Sequence, residues 1–178
     1  MKNDIEKVYF TEEMIHNRVR ELGALLKADY ADKTPLVIGI LKGSFIFLSD
    51  LVRQMDIPCE IEFIAVSSYG AGTSTSGEVK MTKALGDVVS DRHVIIVEDI
   101  LDTGLTLEYL KKYLAGYSPA SLKICTFLDK PSRRKAAIKA DYIGYECEDA
   151  FFVGYGLDYA ENYRNLPFIG SLKPEIYS

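Results

Sequence analysis

Val94-Ile95-Ile96-Val97-Glu98-Asp99-Ile100-Leu101-Asp102-Thr103-Gly104-Leu105-Thr106 passes from apolar to acidic to hydroxyl-rich residues within one short stretch. The β-branched run at 94–97 reads as a strand covered on both faces. It leads into Glu98 and Asp99, then Asp102, then a Thr-Gly-x-Thr turn that opens a helix. In open parallel sheets, ligands bind beyond the carboxyl ends of the strands. A turn at a helix N-terminus supplies backbone N–H groups for a phosphate, and Gly104 lets the backbone come close. An ionised carboxylate only accepts hydrogen bonds, so neighbouring acids suit vicinal sugar hydroxyls. A single acid here could do no more than cap the next helix; the whole string after an apolar strand asks for a ligand. GxxxxGK[ST] and GxGxxG do not occur, which removes the main support for P-loop and dinucleotide readings.

Working outward, strand and helix patterns alternate. Residues 11 to about 28 predict an amphipathic helix capped by Thr11, with Ile15, Val19, Leu22 and Leu26 on one face. Leu36 to Leu41 reads as a buried strand and Phe45 to Met55 as a helix. Ile61, Phe63 and Ala65 alternate with Glu60, Glu62 and Ile64 in a second strand, and the strand at 94–97 is the third. Residues 107–114 predict a helix, 122–128 a strand, 133–139 a short helix and 142–145 a fifth strand. The alternation argues for an α/β fold, a parallel sheet with helices on both faces. Between the second and third strands stands Ser68-Tyr69-Gly70-Ala71-Gly72-Thr73-Ser74-Thr75-Ser76-Gly77, a small, polar, glycine-rich loop. A surface hairpin and an active-site lid share that composition. The aromatic and glycine-rich tail from Phe151 breaks the alternation and is expected to fold with the N-terminal segment as a small cap.

Composition narrows the function classes. The chain has 178 residues, 48% of them apolar, enough for one domain with one main core. A formal net charge of -5 disfavours a general nucleic-acid binder. No stretch reaches the roughly 18 apolar residues of a spanning helix, and the mixed-charge start shows no secretory leader. Cys59, Cys125 and Cys147 form no CxxC pair and suit a reducing, cytoplasmic setting, with Cys59 and Cys125 as buried free thiols. His16 and His93 have no carboxylate set at metal spacing.

The acidic-turn motif resembles that of the type I phosphoribosyltransferases. Leu41-Lys42-Gly43-Ser44, Ser68-Tyr69, Leu128-Asp129-Lys130-Pro131-Ser132-Arg133-Arg134 and Phe151-Phe152-Val153-Gly154-Tyr155-Gly156-Leu157-Asp158-Tyr159 make the chain most similar to the hypoxanthine-guanine branch. The resemblance spans about residues 5 to 172.

It implies a single phosphoribosyltransferase domain over 1–178, with a core at about 11–150 and a hood from the N-terminal segment and about 151–178. It implies transfer of phosphoribose from 5-phosphoribosyl-1-pyrophosphate to hypoxanthine or guanine, with Mg2+ as cofactor. Glu98 and Asp99 would hold the ribose hydroxyls, and Asp102 would take the proton from purine N7. Thr103, Gly104, Leu105 and Thr106 would cradle the 5'-phosphate. Lys42, Gly43 and Arg164 would bind pyrophosphate, with a cis peptide expected in the loop, and Ser68 and Tyr69 would begin the lid. Lys130, Phe151, Phe152 and Asp158 would form the purine site, and Glu98, Asp99 and Asp158 the metal site. Ser44 and Phe152 stand where many relatives carry other residues. The resemblance also implies small-molecule partners only and a homodimer or homotetramer. A regulator on the same fold, or a xanthine or pyrimidine transferase, remains as the alternative.

Overall fold

The structure is a computed structural model that describes residues 1–68, 79–81 and 85–177. In chain order its elements are β1 (Ile5–Phe10), α1 (Glu12–Asp29), β2 (Leu36–Leu41), α2 (Phe45–Met55), β3 (Glu60–Ser68) and β4 (Val79–Met81). There follow β5 (His93–Leu101), α3 (Leu105–Ala115), β6 (Ser121–Asp129), β7 (Tyr142–Glu146), β8 (Phe152–Val153), β9 (Ile169–Leu172) and the short α4 (Pro174–Tyr177).

The main sheet has the order β4-β3-β2-β5-β6-β7. Strands β3, β2, β5, β6 and β7 run parallel, and β4 adds an antiparallel edge against β3. Side-chain alternation sends Val37, Ile95, Val97, Cys125 and Phe127 to one face, where α1 and α2 pack. Leu36, Ile38, Ile64, Val94, Ile96 and Ile124 go to the other face, under Leu107, Leu110 and Leu114 of α3. Helices on both faces leave the strand ends open for ligands. A second sheet, β1-β9-β8, is antiparallel and joins the N-terminal segment to the tail. Among the described residues, no helix is long and apolar enough to cross a membrane.

α1 shows how local sequence sets an element. Thr11 is extended, and its side chain accepts a hydrogen bond from Met14 N at 3.3 Å. Ile15, Val19, Leu22 and Leu26 are all buried. Gly23 brings α1 onto α2: a Cβ there would lie 2.7 Å from the backbone carbon of Gln54. Thr11→Ala is expected to lower stability by about 1 kcal/mol, read from the urea midpoint. An unchanged midpoint would mean that packing alone sets this helix start.

Several sequence expectations are corrected. β5 runs on to Leu101, so Glu98 and Asp99 lie within the strand, and Ile100 pairs with Leu128 of β6. On β3 the apolar alternation faces outward: Ile61 is 45% and Phe63 36% exposed, whereas Ile64 is fully buried. Residues 133–139 form no helix; a 3-10 turn at Pro131–Arg133 precedes irregular chain. The reason is that the N–H groups of Lys135 and Ala136 both donate to Thr103 O, at 2.9 and 3.1 Å, instead of to their own segment. Of the cysteines, Cys125 is buried, while Cys59 and Cys147 are half-buried; all are free thiols.

Candidate active site

The parallel register builds the centre of the site. Leu101 of β5 pairs with Asp129 of β6, so Asp102 and Lys130 leave adjacent strands side by side. Lys130 N donates to Leu101 O at 3.0 Å. Beyond Asp102, Gly104 adopts φ +80° and caps α3, with no side chain closing the helix N-terminus. A Cβ on Gly104 would lie 2.6 Å from Ile138 Cγ2, so both conformation and space call for glycine. A cavity of about 150 Å³ at this turn is lined by Glu98, Ile100, Asp102, Thr103, Gly104 and Thr106, among others. Leu105, the first residue of α3, is exposed. Open N–H groups and hydroxyls at a helix start make this an anion site.

Next to it lies a cavity of about 510 Å³ whose lining includes Ile100, Asp102, Lys130, Phe151, Phe152 and Tyr177. Lys130 is only 6% exposed; its Nζ donates to Ala150 O at 2.9 Å and stands 3.5 Å from Asp149 Oδ1. Phe152 is buried beneath it, with the ammonium 5.5 Å from the ring centroid. Phe151 is exposed and stacks on Tyr177 at 5.1 Å between centroids. Asp102 Oδ1 is buried and has no hydrogen-bond partner among the described residues; Arg133 Nε stands 3.7 Å away. A buried acceptor without a donor is costly unless a ligand supplies one. A larger cavity, about 900 Å³, lies along α3 and residues 136–141, but neither Asp102 nor Lys130 lines it. Chemistry rather than volume marks the site.

The cationic end comes from a third pair of segments. The Leu41–Lys42 peptide is cis. Gly43 lies against Asp99: a Cβ there would fall 1.6 Å from Asp99 Oδ2. Gly156 also packs against it, with a Cβ position 2.0 Å from Gly43 O. Ser44 is buried, and its hydroxyl donates to Ile40 O at 2.7 Å. Lys42 Nζ lies 3.0 Å from Glu161 Oε2. Arg164 donates to Gly156 O and pairs with Asp158 at 2.8 Å, and its Nε is buried without a hydrogen-bond partner among the described residues.

Electrostatics adds to this picture. Burial, and then the charge of Asp99, hold the Glu98 carboxyl well above the usual carboxylate range. Burial also raises Asp99, against the lowering effect of hydrogen bonds from its neighbours and of the Arg164 charge. These oxygens are hard donors short of positive charge, which fits Mg2+. Among the described residues, no group of three or more His, Cys, Asp or Glu converges as a metal cage. Mg2+ does not require one, since it is commonly held by one or two carboxylates with substrate phosphates and water.

The structure therefore gathers Glu98, Asp102, Thr103, Gly104 and Thr106 around one cavity, with Lys130, Phe151 and Phe152 beside them, and sets Asp99 against Gly43. Asp158 and Arg164 meet Lys42 through Glu161. Ser68 ends β3, and Tyr69 and the rest of the expected lid lie outside the described residues. Sequence reasoning missed Ile100 and Tyr177 as cavity walls and Glu161 as the partner of both cations. The Asp-x-x-Glu spacing of 158 and 161 was the signal available for the last.

Comparisons with known proteins place this geometry. The family model described as phosphoribosyl transferase domain matches residues 11–160. A hypoxanthine-guanine phosphoribosyltransferase of Bacillus subtilis (strain 168) is 55% identical over 177 residues, covering 99% of this chain and 98% of the relative. A crystal structure of a hypoxanthine phosphoribosyltransferase from Staphylococcus aureus superposes with a TM-score of 0.96 at 52% identity, over 100% of this chain and 97% of that one. A hypoxanthine-guanine phosphoribosyltransferase from Bacillus anthracis gives a TM-score of 0.90 at 45% identity, over 95% and 99%. With an anion-binding turn, a cavity lined by Lys130 and matches of this extent, the chain belongs to the phosphoribosyltransferase family, in its hypoxanthine-guanine branch.

Proposed function

We propose that this chain is a purine-salvage enzyme that joins hypoxanthine or guanine to the phosphoribosyl group of 5-phosphoribosyl-1-pyrophosphate, yielding IMP or GMP and pyrophosphate. The observation that carries the reading is the shared cavity wall: Asp102, whose Oδ1 accepts no hydrogen bond among the described residues, stands beside Lys130, a buried donor. A 6-oxo purine offers both complements, an acceptor at O6 and a proton at N7. As N9 bonds to the anomeric carbon, the C–O bond to pyrophosphate breaks and Asp102 takes the N7 proton. Phe151 stacks on the base, and the Phe152 carbonyl accepts from the amino group of guanine. Thr103, Gly104, Leu105 and Thr106 hold the 5'-phosphate, Glu98 and Asp99 the ribose hydroxyls. Lys42, Gly43 and Arg164 receive pyrophosphate, exchanging Glu161 for the substrate anion. Ser68 and Tyr69 begin the lid that keeps water from the reacting carbon. The test of the reading is a turnover assay with hypoxanthine, guanine, xanthine and adenine; failure to use either of the first two overturns it.

Glu98, Asp99 and Asp158 would hold Mg2+ together with substrate phosphates and water rather than as one cage of side chains. When bound, it supplies neutralising charge for the pyrophosphate leaving group. Turnover is expected to fall away with a chelator and return with added Mg2+. Activity indifferent to chelation would remove the metal from the scheme.

The β1-β9-β8 sheet serves as a hood over a core at about 11–150. Leu41 of β2, Phe45 at the start of α2, and Ile61 and Phe63 of β3 are exposed large apolar side chains, which supports a homodimer or homotetramer. Free thiols suit the reducing cytoplasm.

A further inference from the structure

Arg134 carries no role in the scheme above, yet its guanidinium is one of the most fully engaged groups near the site. Nε donates to Asp102 O at 3.0 Å and Nη1 to Ile138 O at 2.8 Å. Nη2 donates to Leu101 O at 3.2 Å and to the Asp129 carboxylate. Arg134 and Asp129 side chains are 16% and 14% exposed, so this is a part-buried pair, not a solvated one, and four of the guanidinium's N–H donors are engaged. The acceptors belong to the phosphoribose turn, to the end of β6 and to the irregular chain after it. The main chain repeats the same link, from Lys130 N to Leu101 O and from Lys135 N and Ala136 N to Thr103 O. Its Cδ also packs 3.0 Å from the position a Cβ on Gly104 would take.

A planar guanidinium spreads its donors over three nitrogens and can serve carbonyls spaced apart while Asp129 balances its charge; an ammonium gathers its three donors on one nitrogen and cannot reproduce that fork. Arg133 contrasts with it: that side chain is 53% exposed and reaches Asp102 only at 3.7 Å.

We infer that Arg134 is a positioning residue for the transfer reaction, tying the backbone of Leu101 and Asp102 to the purine-binding segment so that the Asp102 carboxylate stays aimed at the base held by Lys130. The inference rests on the proposed role of Asp102 as proton acceptor. With the Asp102 carbonyl fixed, only that residue's own side-chain torsions remain to aim the carboxylate. Displacement of a reacting group by about 1 Å can cost about 10²-fold in rate.

The test is a double-mutant cycle on the full chain. Arg134→Lys keeps the charge opposite Asp129 and removes the fork. It should lower kcat by about 10- to 100-fold, with a smaller change in KM for 5-phosphoribosyl-1-pyrophosphate. In the Asp102→Asn background the same change should cost less than about threefold, because residues acting as one unit are non-additive. Circular dichroism verifies that each variant is folded. Should the lysine variant not fold, Arg134→Gln takes its place in the cycle. Failure of both to fold would make the residue structural and overturn the inference, as would normal kcat in Arg134→Lys. If Asp102→Asn is slow and Arg134→Lys multiplies that loss in full, the inference alone fails. If Asp102→Asn turns over near normally, the base assignment fails first.

Discussion

Asp102→Asn is expected to lower turnover of hypoxanthine by about 10²–10⁴-fold, the usual contribution of general acid–base help. The substitution keeps the side chain's shape and its place at the cavity wall. It removes the one thing the mechanism asks of the residue, a carboxylate oxygen able to take a proton. Asp102 Oδ1 is buried without a hydrogen-bond partner among the described residues, so the amide disturbs no protein hydrogen bond at that atom. The Arg134 bond goes to the backbone carbonyl and survives the change. The anion turn at Thr103, Gly104 and Thr106 is likewise untouched, so KM for the sugar-phosphate should move little. Steady-state kinetics with each substrate varied in turn separates the two parameters. Turnover within a few-fold of wild type would show that the proton leaves by another route.

Lys130→Met is expected to collapse the preference for 6-oxo purines. A lysine ammonium has three donors. One goes to Ala150 O and one faces Asp149, which leaves a donor for the cavity. Hypoxanthine and guanine present an acceptor there; adenine presents a 6-amino donor and would leave a nearly buried charge poorly paired. Sites built on such a hydrogen bond can reject the wrong partner by about 10⁴ or more, and at least about 10²-fold discrimination against adenine is expected here. Methionine retains the aliphatic stem over Phe152 and removes the charge. It should cut kcat/KM for hypoxanthine far more than for adenine. The measurement is the ratio of kcat/KM for the two bases in wild type and variant. A ratio unchanged by the mutation, or near one in the wild type, would mean that another group selects the base.

Individual elements were legible in the sequence wherever burial imposes a period. Ile15, Val19, Leu22 and Leu26 announced α1, and the runs at β2 and β5 announced strands covered on both faces. β3 was read as a strand, but not which of its faces would be exposed. Ile61 and Phe63 carry the apolar signal and yet stay accessible, because which face a strand buries depends on what packs against it, not on its own alternation. The supposed helix at 133–139 failed for a related reason. Its composition permits a helix, but Thr103 O draws two of its N–H groups into a contact with a segment far away in the chain.

The string from Val94 to Thr106 determined by itself that a strand ends in acids and an anion-binding turn, since residue type and order dictate that chemistry locally. The resemblance of its motifs to those of the phosphoribosyltransferases pointed to that family. Only the tertiary structure decided that Asp102 and Lys130 share a cavity, through the register that pairs Leu101 with Asp129. It likewise decided that Gly43 meets both Asp99 and Gly156, and that Arg134 sends three of its N–H donors to main-chain carbonyls. Carbonyl oxygens are the same at every residue, so bonds to them leave no mark in the sequence; they exist only once parallel strands have brought distant backbones together.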